Sequence, residues 1–269
     1  LLAEGLEGRV SVGHVAVAAG QGTVATAGQV APPRALSAAP DLSALPELFE
    51  RPLIRFQLPA ESTPTRIQVA ADEGFDQIVS DQRVPPGTDI RIAGLPDARW
   101  HLRARRIDTL GIEGFDSQRA FELKARPEPP ASAAPRASAK QTVGNVDFAW
   151  APNVDSKSVR LQVAREESFS QPLVDQTGIT ADKFSTALAD EGDYFWRMAS
   201  VRADGDAGPF GDPQAFELRP LPTVPQGSVA PDGKSLVLNW GGRPQDRLLR
   251  GTPVLVPADD VYTNHIHAD

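Results

Sequence analysis

The sequence predicts an all-β chain in which tandem antiparallel β-sandwiches follow the end of a β domain with short strands. An internal repeat is the first reason, because RIQVAADEGFDQIVSDQ from Arg66 returns 94 positions later as RLQVAREESFSQPLVDQ from Arg160. The second is the alternation of apolar and polar residues over short runs, which is typical of half-buried strands. Composition is the third, since 25 prolines and 22 glycines in 269 residues disfavour long helices.

Residues 1–50 are predicted to be the end of that short-stranded domain followed by a connector. LEGRVSVGHVAVAAGQGTVATAGQ has apolar pairs separated by glycine every few residues, which favours short strands that turn back on themselves. APDLSALPELFERP follows from Ala39, and Leu42, Leu45 and Leu48 are predicted to pack as one helical turn against the first sandwich. Pro46 limits the length of that turn.

The two copies of the repeated module span residues 52–126 and 142–220. Outside the repeated stretch, Phe56 matches Trp150 and Trp100 matches Tyr194 at the same spacing. These aromatic residues fall on alternating strands, so we predict burial in the sandwich cores for Phe56, Trp100, Trp150, Tyr194 and Trp196. Two equivalent segments fit either a short helical turn or a loop: DEGFDQIV, which begins at Asp72, and EESFSQPL, which begins at Glu166.

The segments between and after the copies are predicted to be less regular. Residues 127–141 are rich in Pro, Ala and Ser and lack apolar periodicity, which indicates a semi-extended linker. SLVLNW, which ends at Trp240, is similar to NVDFAW, which ends at Trp150. Residues 227–269 are therefore predicted to be a partial or divergent third repeat, because the later strands of the module do not follow.

Composition and motifs exclude several classes of function. The absence of Cys excludes disulfides, thiol nucleophiles and thiolate metal sites. A net charge of −8 argues against a nucleic-acid partner, and no apolar run is long enough for a membrane span. No nucleotide-binding loop, serine elbow or zinc-binding helix motif is present, so we predict no enzyme activity, no cofactor and no metal. His265 and His267 could ligate a metal, but a frayed terminus is the favoured interpretation.

One basic group is a candidate binding surface. Arg99, Arg103 and Arg105 lie on the late strand of the first copy, and alternation places Arg103 and Arg105 on one face. They could contact an anionic glycan or lipid headgroup, pair with acidic neighbours, or form a solvated sheet face.

The two copies resemble fibronectin type III modules. The resemblance is carried by the early strand with Trp150, the LQVA strand, the YFWRMASV strand and the GPF segment before the closing FEL. It implies a sandwich in which the early Trp and the late aromatic strand face each other across the core. Residues 1–34 resemble the end of a FecR-type domain, in the short V-x-V strands and the AGQG turn of EGRVSVGHVAVAAGQGTVATAGQVAPPRAL. FecR-type domains, often with a LysM peptidoglycan-binding module, occur in exported proteins of Gram-negative bacteria.

The resemblance implies a non-enzymatic protein of the bacterial envelope, periplasmic or otherwise extracytoplasmic. Its sandwiches would act as a spacer or interaction scaffold, in envelope sensing or peptidoglycan association, with an envelope protein or peptidoglycan as partner. Two alternatives stay open: carbohydrate-binding accessory modules of a secreted glycan-active enzyme, or a regulator of an extracytoplasmic-function sigma factor. Burial of Trp100 and Trp196 would disfavour the sugar-stacking alternative.

Overall fold

The computed structural model describes residues 2–5, 10–27, 29–58, 62–220, 226–229 and 236–239, and within these ranges every regular element is a β-strand. No helix in the described part of the chain could therefore cross a bilayer. The N-terminal segment contains β1 (Leu2–Gly5), β2 (Val10–Val12), β3 (Val15–Val17), β4 (Gln21–Thr26), β5 (Gln29–Val30) and β6 (Arg34–Ala35). β4 pairs antiparallel with β1, β5 and β6, while β2 and β3 form a hairpin.

The first sandwich consists of two facing sheets. Its strands are β7 (Leu48–Phe49), β8 (Ile54–Phe56), β9 (Thr65–Ala70), β10 (Ile78–Val84), β11 (Ile90–Ile92), β12 (Ala98–Ile107) and β13 (Glu113–Leu123). The larger sheet has the order β10-β9-β12-β13-β7, and the smaller sheet is the pair β11-β8. All pairings are antiparallel except that of β7 with β13.

The second sandwich repeats this topology. Its strands are β14 (Ala131–Ala134), β15 (Ala139–Thr142), β16 (Gly144–Ala151), β17 (Ser158–Ala164), β18 (Val174–Ile179), β19 (Lys183–Leu188), β20 (Gly192–Val201), β21 (Ala207–Phe210) and β22 (Gln214–Arg219). The smaller sheet has the order β14-β16-β19, the larger has the order β15-β22-β20-β17-β18, and β21 pairs with β20. The predicted fold class is confirmed: the two repeats are fibronectin type III-like sandwiches.

The aromatic residues of both copies lie between the sheets. Trp100, Trp150, Tyr194 and Trp196 are at most 6% exposed, while Phe56 is half-buried at the edge of the first core. Full burial of a large apolar side chain contributes roughly 1.5–3 kcal/mol to stability, so these residues are central to both modules. In the second core the rings of Phe148 and Trp196 meet edge-to-face, with centroids 5.3 Å apart.

The prediction of a linker over residues 127–141 is wrong in part. This stretch supplies two strands of the second sandwich: β14 pairs antiparallel with β16, and β15 pairs parallel with β22. Apolar periodicity is missing because the side chains of β14 are exposed or half-buried, while its backbone pairs with β16. The sandwich therefore begins inside the predicted linker.

The helical turn predicted around Leu42, Leu45 and Leu48 is also wrong in part. Leu42 and Leu45 are buried in the first core, but Leu48 lies in β7 and is 47% exposed. The backbone N–H of Glu122 donates to the carbonyl of Glu47 at 2.7 Å, which draws this stretch into pairing with β13.

Residues 72–77 and the segment EESFSQPL form turns, not helices, and Ile78 and Val79 belong to β10. Much of the predicted third repeat lies outside the described residues, including Trp240, His265 and His267. Its described part is a hairpin of β23 (Gln226–Val229) and β24 (Leu236–Asn239).

Candidate functional site

A cluster of polar side chains covers the outer face of the larger sheet in the first sandwich. The first arginine cluster consists of Arg66, Gln68, Phe75, Asp81 and Arg103. Arg66 donates to both carboxylate oxygens of Asp81, and the amide of Gln68 donates to the same carboxylate at 3.0 Å. Arg103 donates to Gln68 Oε1 through Nε and Nη2, at 3.0 and 2.8 Å, and its guanidinium lies 4.3 Å from the centre of the Phe75 ring.

The second sandwich carries the same arrangement 94 positions later. The second arginine cluster consists of Arg160, Gln162, Phe169, Asp175 and Arg197. Arg160 binds both oxygens of Asp175, and Gln162 donates to that carboxylate at 2.9 Å. Arg197 donates to Gln162 Oε1 at 3.0 Å and lies 4.1 Å from the centre of the Phe169 ring. Its guanidinium also faces Phe210, which is 4.2 Å away, so it is stacked between two rings.

Both clusters depend on an unusual backbone at the phenylalanine. Phe75 and Phe169 have φ angles of 60° and 52°, a region that non-glycine residues seldom adopt. Each Phe amide closes a tight turn by donating to a carbonyl three residues earlier, that of Asp72 or Glu166. The positive φ accompanies a buried ring under the arginine, which indicates that packing of the ring offsets the backbone strain.

The ion pairs shift the pKa of the groups they join. Hydrogen bonds from Arg66 hold the pKa of Asp81 below its usual value, and those from Arg160 do the same for Asp175. Burial lowers the pKa of Arg103 and Arg197, yet both stay cationic at neutral pH because the guanidinium group is not deprotonated in proteins.

Arg99, Arg103 and Arg105 all lie on β12, but two of them have internal partners. Arg103 belongs to the first arginine cluster, and Arg105 binds Glu113 at 3.3 Å and approaches Asp116 at 3.9 Å. Arg99 is exposed and has no hydrogen-bond or ion-pair partner among the described residues, and it lies at an open cleft of about 450 Å³. Of the predicted binding surface, Arg99 is the member whose charge is available to a ligand.

Each sandwich also holds the chain segment that precedes it, here called the first connector (36–47) and the second connector (124–130). In the first sandwich, Gly114 lies against the carbonyl of Ser37, and a Cβ at that glycine would overlap it. The N–H of Phe115 donates to the Ser37 carbonyl at 2.9 Å, and Arg106 donates to the Ala38 carbonyl at 2.6 Å.

The second sandwich binds its connector at the equivalent positions. Gly208, 94 positions after Gly114, lies against the carbonyl of Pro127 so closely that a Cβ would overlap it. Ser200, which corresponds to Arg106, donates to the carbonyl of Glu128 at 2.7 Å, and so does Asn153. We call each set of contacts a connector clamp. Sequence reasoning missed both clamps, although the shared spacing of the two glycines was visible.

Ion pairs join the two sandwiches across the second connector. Lys124 Nζ contacts both oxygens of Asp206, at 2.8 and 2.9 Å, and approaches Asp97 at 3.5 Å. The Lys124 ammonium lowers the pKa of Asp206. Arg51 of the first sandwich donates to Asp212 at 2.6 Å and to the carbonyl of Phe210 at 3.2 Å. Two separate contacts therefore restrict rotation of one module relative to the other.

The described residues hold no group of three His, Cys, Asp or Glu side chains that could bind a metal ion. His101 is half-buried on the outer face of β12, where it faces Ala70 and Ala120 on the neighbouring strands.

Comparison with known proteins gives matches to solved structures alone. No family model matches the chain, and no curated protein sequence matches it. The FN1–FN3 domains of chicken CNTN1 are 14% identical over 66% of this chain and 65% of that chain, with a TM-score of 0.26. The fibronectin(III)-like modules of Clostridium thermocellum CbhA are 16% identical over 68% and 93%, with a TM-score of 0.25.

A third similar structure is a β-1,2-glucanase from Parabacteroides distasonis. It is 15% identical over 64% of this chain and 28% of that chain, with a TM-score of 0.27. At these values the fold assignment rests on the strand order of the two sandwiches and not on the comparisons.

Proposed function

We propose that this chain is a non-catalytic, extracytoplasmic scaffold of a bacterial cell envelope, whose sandwiches present docking surfaces at a fixed spacing. The pair of connector clamps is the observation that carries the proposal. Gly114 and Gly208 each bind the backbone of the preceding connector in the same way, so the modules follow one another with a defined geometry. A spacer benefits from such a geometry, because binding elements at its two ends then keep their separation.

Burial of the tryptophans supports this function over sugar stacking. Trp100, Trp150 and Trp196 lie inside the sandwich cores and offer no flat aromatic strip to a glycan. We further propose that the N-terminal segment is the end of a FecR-type domain, which its short paired strands support, and that the docked partner is an envelope protein or the peptidoglycan itself.

Fixed geometry can be tested by measuring the distance between two spin labels. Thr88 and Thr177 are exposed, one in each sandwich, and the chain has no native Cys, so the double variant Thr88→Cys/Thr177→Cys would be labelled at those positions alone. We expect a single narrow distance distribution by pulsed electron resonance. A distribution as broad as that of a flexible linker would overturn the scaffold.

Association with the wall is tested by co-sedimentation with insoluble peptidoglycan sacculi. We expect retention at about 0.15 M salt that weakens toward about 0.5 M, where exposed charge pairs are strongly screened. Arg99→Glu should reduce retention, while Arg136→Glu, at an exposed arginine of the second sandwich, serves as the matched control. Absence of retention would rule out the wall as the direct partner, and cross-linking in the envelope would then identify the docked protein.

A further inference from the structure

A cleft of about 370 Å³ lies where the two sandwiches meet. Gly94, Leu95, Pro96 and Asp97 come from a loop of the first sandwich, Arg126 from the second connector and Arg202 from the second sandwich. Its walls therefore come from three separate parts of the chain. Small-molecule sites often occur at such boundaries between modules, and the volume fits a ligand the size of an amino acid or a short peptide terminus.

The wall from the first sandwich is held rigidly by hydrogen bonds. Trp100 Nε1 donates to the carbonyl of Pro96 at 3.1 Å. The Asp97 carboxylate accepts from the backbone N–H groups of Ala125 and Arg126, at 2.9 and 3.0 Å. It also lies 3.5 Å from Lys124 Nζ, so internal donors already compensate its negative charge.

The two arginines are positioned but incompletely used. Arg126 Nη1 donates to the carbonyl of Leu95 at 3.1 Å and lies 3.6 Å from Asp97. Arg202 Nη1 donates to Asp206 at 3.0 Å. In the described part of the chain, Nε and Nη2 of both side chains have no partner, and each side chain is more than one third exposed. A guanidinium anchored through one nitrogen can present the others to a planar anion with little loss of side-chain entropy.

From this geometry we infer that the cleft between the sandwiches is a binding site for a small carboxylate ligand with a short apolar group. The carboxylate binds between Arg126 and Arg202, and the apolar group packs on the exposed ring of Pro96. This site is independent of the proposed wall association, since its residues are distinct from Arg99 and the arginine clusters. Because both modules contribute, occupancy also ties one sandwich to the other.

The test is an NMR titration of the full ¹⁵N-labelled chain with N-acetylalanine. N-acetylalaninamide, which lacks the carboxylate, and inorganic phosphate, which lacks the apolar group, are the comparison probes. We expect saturable shifts of the Gly94, Arg126 and Arg202 amides with N-acetylalanine, no saturation with the amide, and weaker binding of phosphate. No saturable shift, or equal shifts with the amide, would overturn the site, and tighter binding of phosphate would overturn the carboxylate assignment.

Two variants separate binding from loosening of the junction. Arg202→Gln removes one guanidinium and should weaken binding about tenfold, which is typical for loss of one charge-assisted contact. Asp212→Asn removes the Arg51 ion pair between the sandwiches, and so disturbs the junction, but it leaves Arg126, Arg202 and the Asp206 carboxylate that anchors Arg202 in place. We expect binding to the Asp212→Asn chain to be unchanged. Equal weakening by both variants would show that junction integrity, and not a site at Arg202, controls the shifts.

Discussion

Arg103 and Arg197 occupy the same position in the two sandwiches, and each joins a glutamine on the neighbouring strand to a phenylalanine ring beneath its guanidinium. Arg197 has one more ring contact, since Phe210 lies 4.2 Å from its guanidinium, whereas Arg103 makes one more hydrogen bond to its glutamine. In the first sandwich, Asp116 stands at the position equivalent to Phe210, and it lies opposite Arg105 on the neighbouring strand. The two modules thus compare the effect of a second ring with that of a second hydrogen bond.

Replacement of Arg197 should destabilise its sandwich more than replacement of Arg103 destabilises the other. We expect Arg197→Ala to lower the free energy of unfolding by about 2 kcal/mol and Arg103→Ala by about 1 kcal/mol, since a cation–π contact at a partly buried site contributes about 0.5–2 kcal/mol. Urea unfolding followed by tryptophan fluorescence measures both. Arg99→Ala should stay within about 0.5 kcal/mol of the native chain. An equal loss at both arginines would show that the second ring contributes no more than the second hydrogen bond of Arg103.

A methyl group at Gly208 should open the junction between the modules. Gly208→Ala places a Cβ on the carbonyl of Pro127, and backbone cannot yield as a side chain can. We expect the distance distribution between labels at residues 88 and 177 to broaden, with a loss of stability of about 1–3 kcal/mol. Gly211→Ala is the matched control, because its Cβ would meet the Pro129 side chain at 3.3 Å. Unchanged distances in Gly208→Ala would mean that the clamp does not set the geometry.

The equivalent change in the first sandwich should release the N-terminal segment. A Cβ at Gly114 would overlap the carbonyl of Ser37, whose acceptance of the Phe115 N–H would then be lost. Limited proteolysis followed by mass spectrometry should show faster cleavage within the first connector, while fragments of the second sandwich stay intact. The native chain and Gly211→Ala are the controls, and cleavage at the native rate would contradict the expected role of Gly114.

Stability should fall at acid pH as the arginine clusters lose their carboxylates. The folded-state pKa of Asp175 lies below its usual value, mainly because Arg160 donates to it. A carboxyl group whose pKa is lowered by folding stabilises the folded state. This stabilisation is present above the unfolded-state pKa of about 3.9 and is lost as the pH falls through the folded-state pKa. We expect thermal stability of the second sandwich to drop below about pH 4.

Asp175→Asn should reduce stability at pH 7 and make its pH dependence shallower. Asp190→Asn, at an exposed aspartate outside the clusters, should change neither. Thermal unfolding followed by near-ultraviolet circular dichroism between pH 3 and pH 7 measures both variants, and the same slope in Asp175→Asn and the native chain would exclude Asp175 as the titrating group.

The sequence allowed the sandwich fold and the repeat to be predicted because both leave a periodic signal. The 94-residue spacing that relates Gln68 to Gln162 also relates the other members of the first arginine cluster to those of the second. The hydrogen bonds within each cluster could not be predicted from that spacing. The positive φ of Phe75 could not be predicted, since no Gly or Asn marks the position. β14 was missed because its backbone pairs with β16 while its side chains face solvent, and such a strand has no apolar alternation.

Of the candidate surface, residue type and alternation located Arg99, Arg103 and Arg105 on one strand. The sequence pattern could not show that Arg103 and Arg105 have internal partners while Arg99 has none among the described residues, because the partners Gln68 and Glu113 come from other strands. The clamps were missed for a related reason. The acceptors in the clamps are backbone carbonyls, which every residue has, so no pattern of side chains indicates where a clamp lies.

The connector clamps have a consequence for how such a chain changes over evolutionary time. Ser37 and Ala38 in the first connector correspond to Pro127 and Glu128 in the second, four residues with no chemistry in common. Each clamp accepts either pair because it binds main-chain oxygens. The side chains at these four clamp positions can therefore change while the spacing of the modules is inherited, and further copies of the module could be joined through the same main-chain contacts.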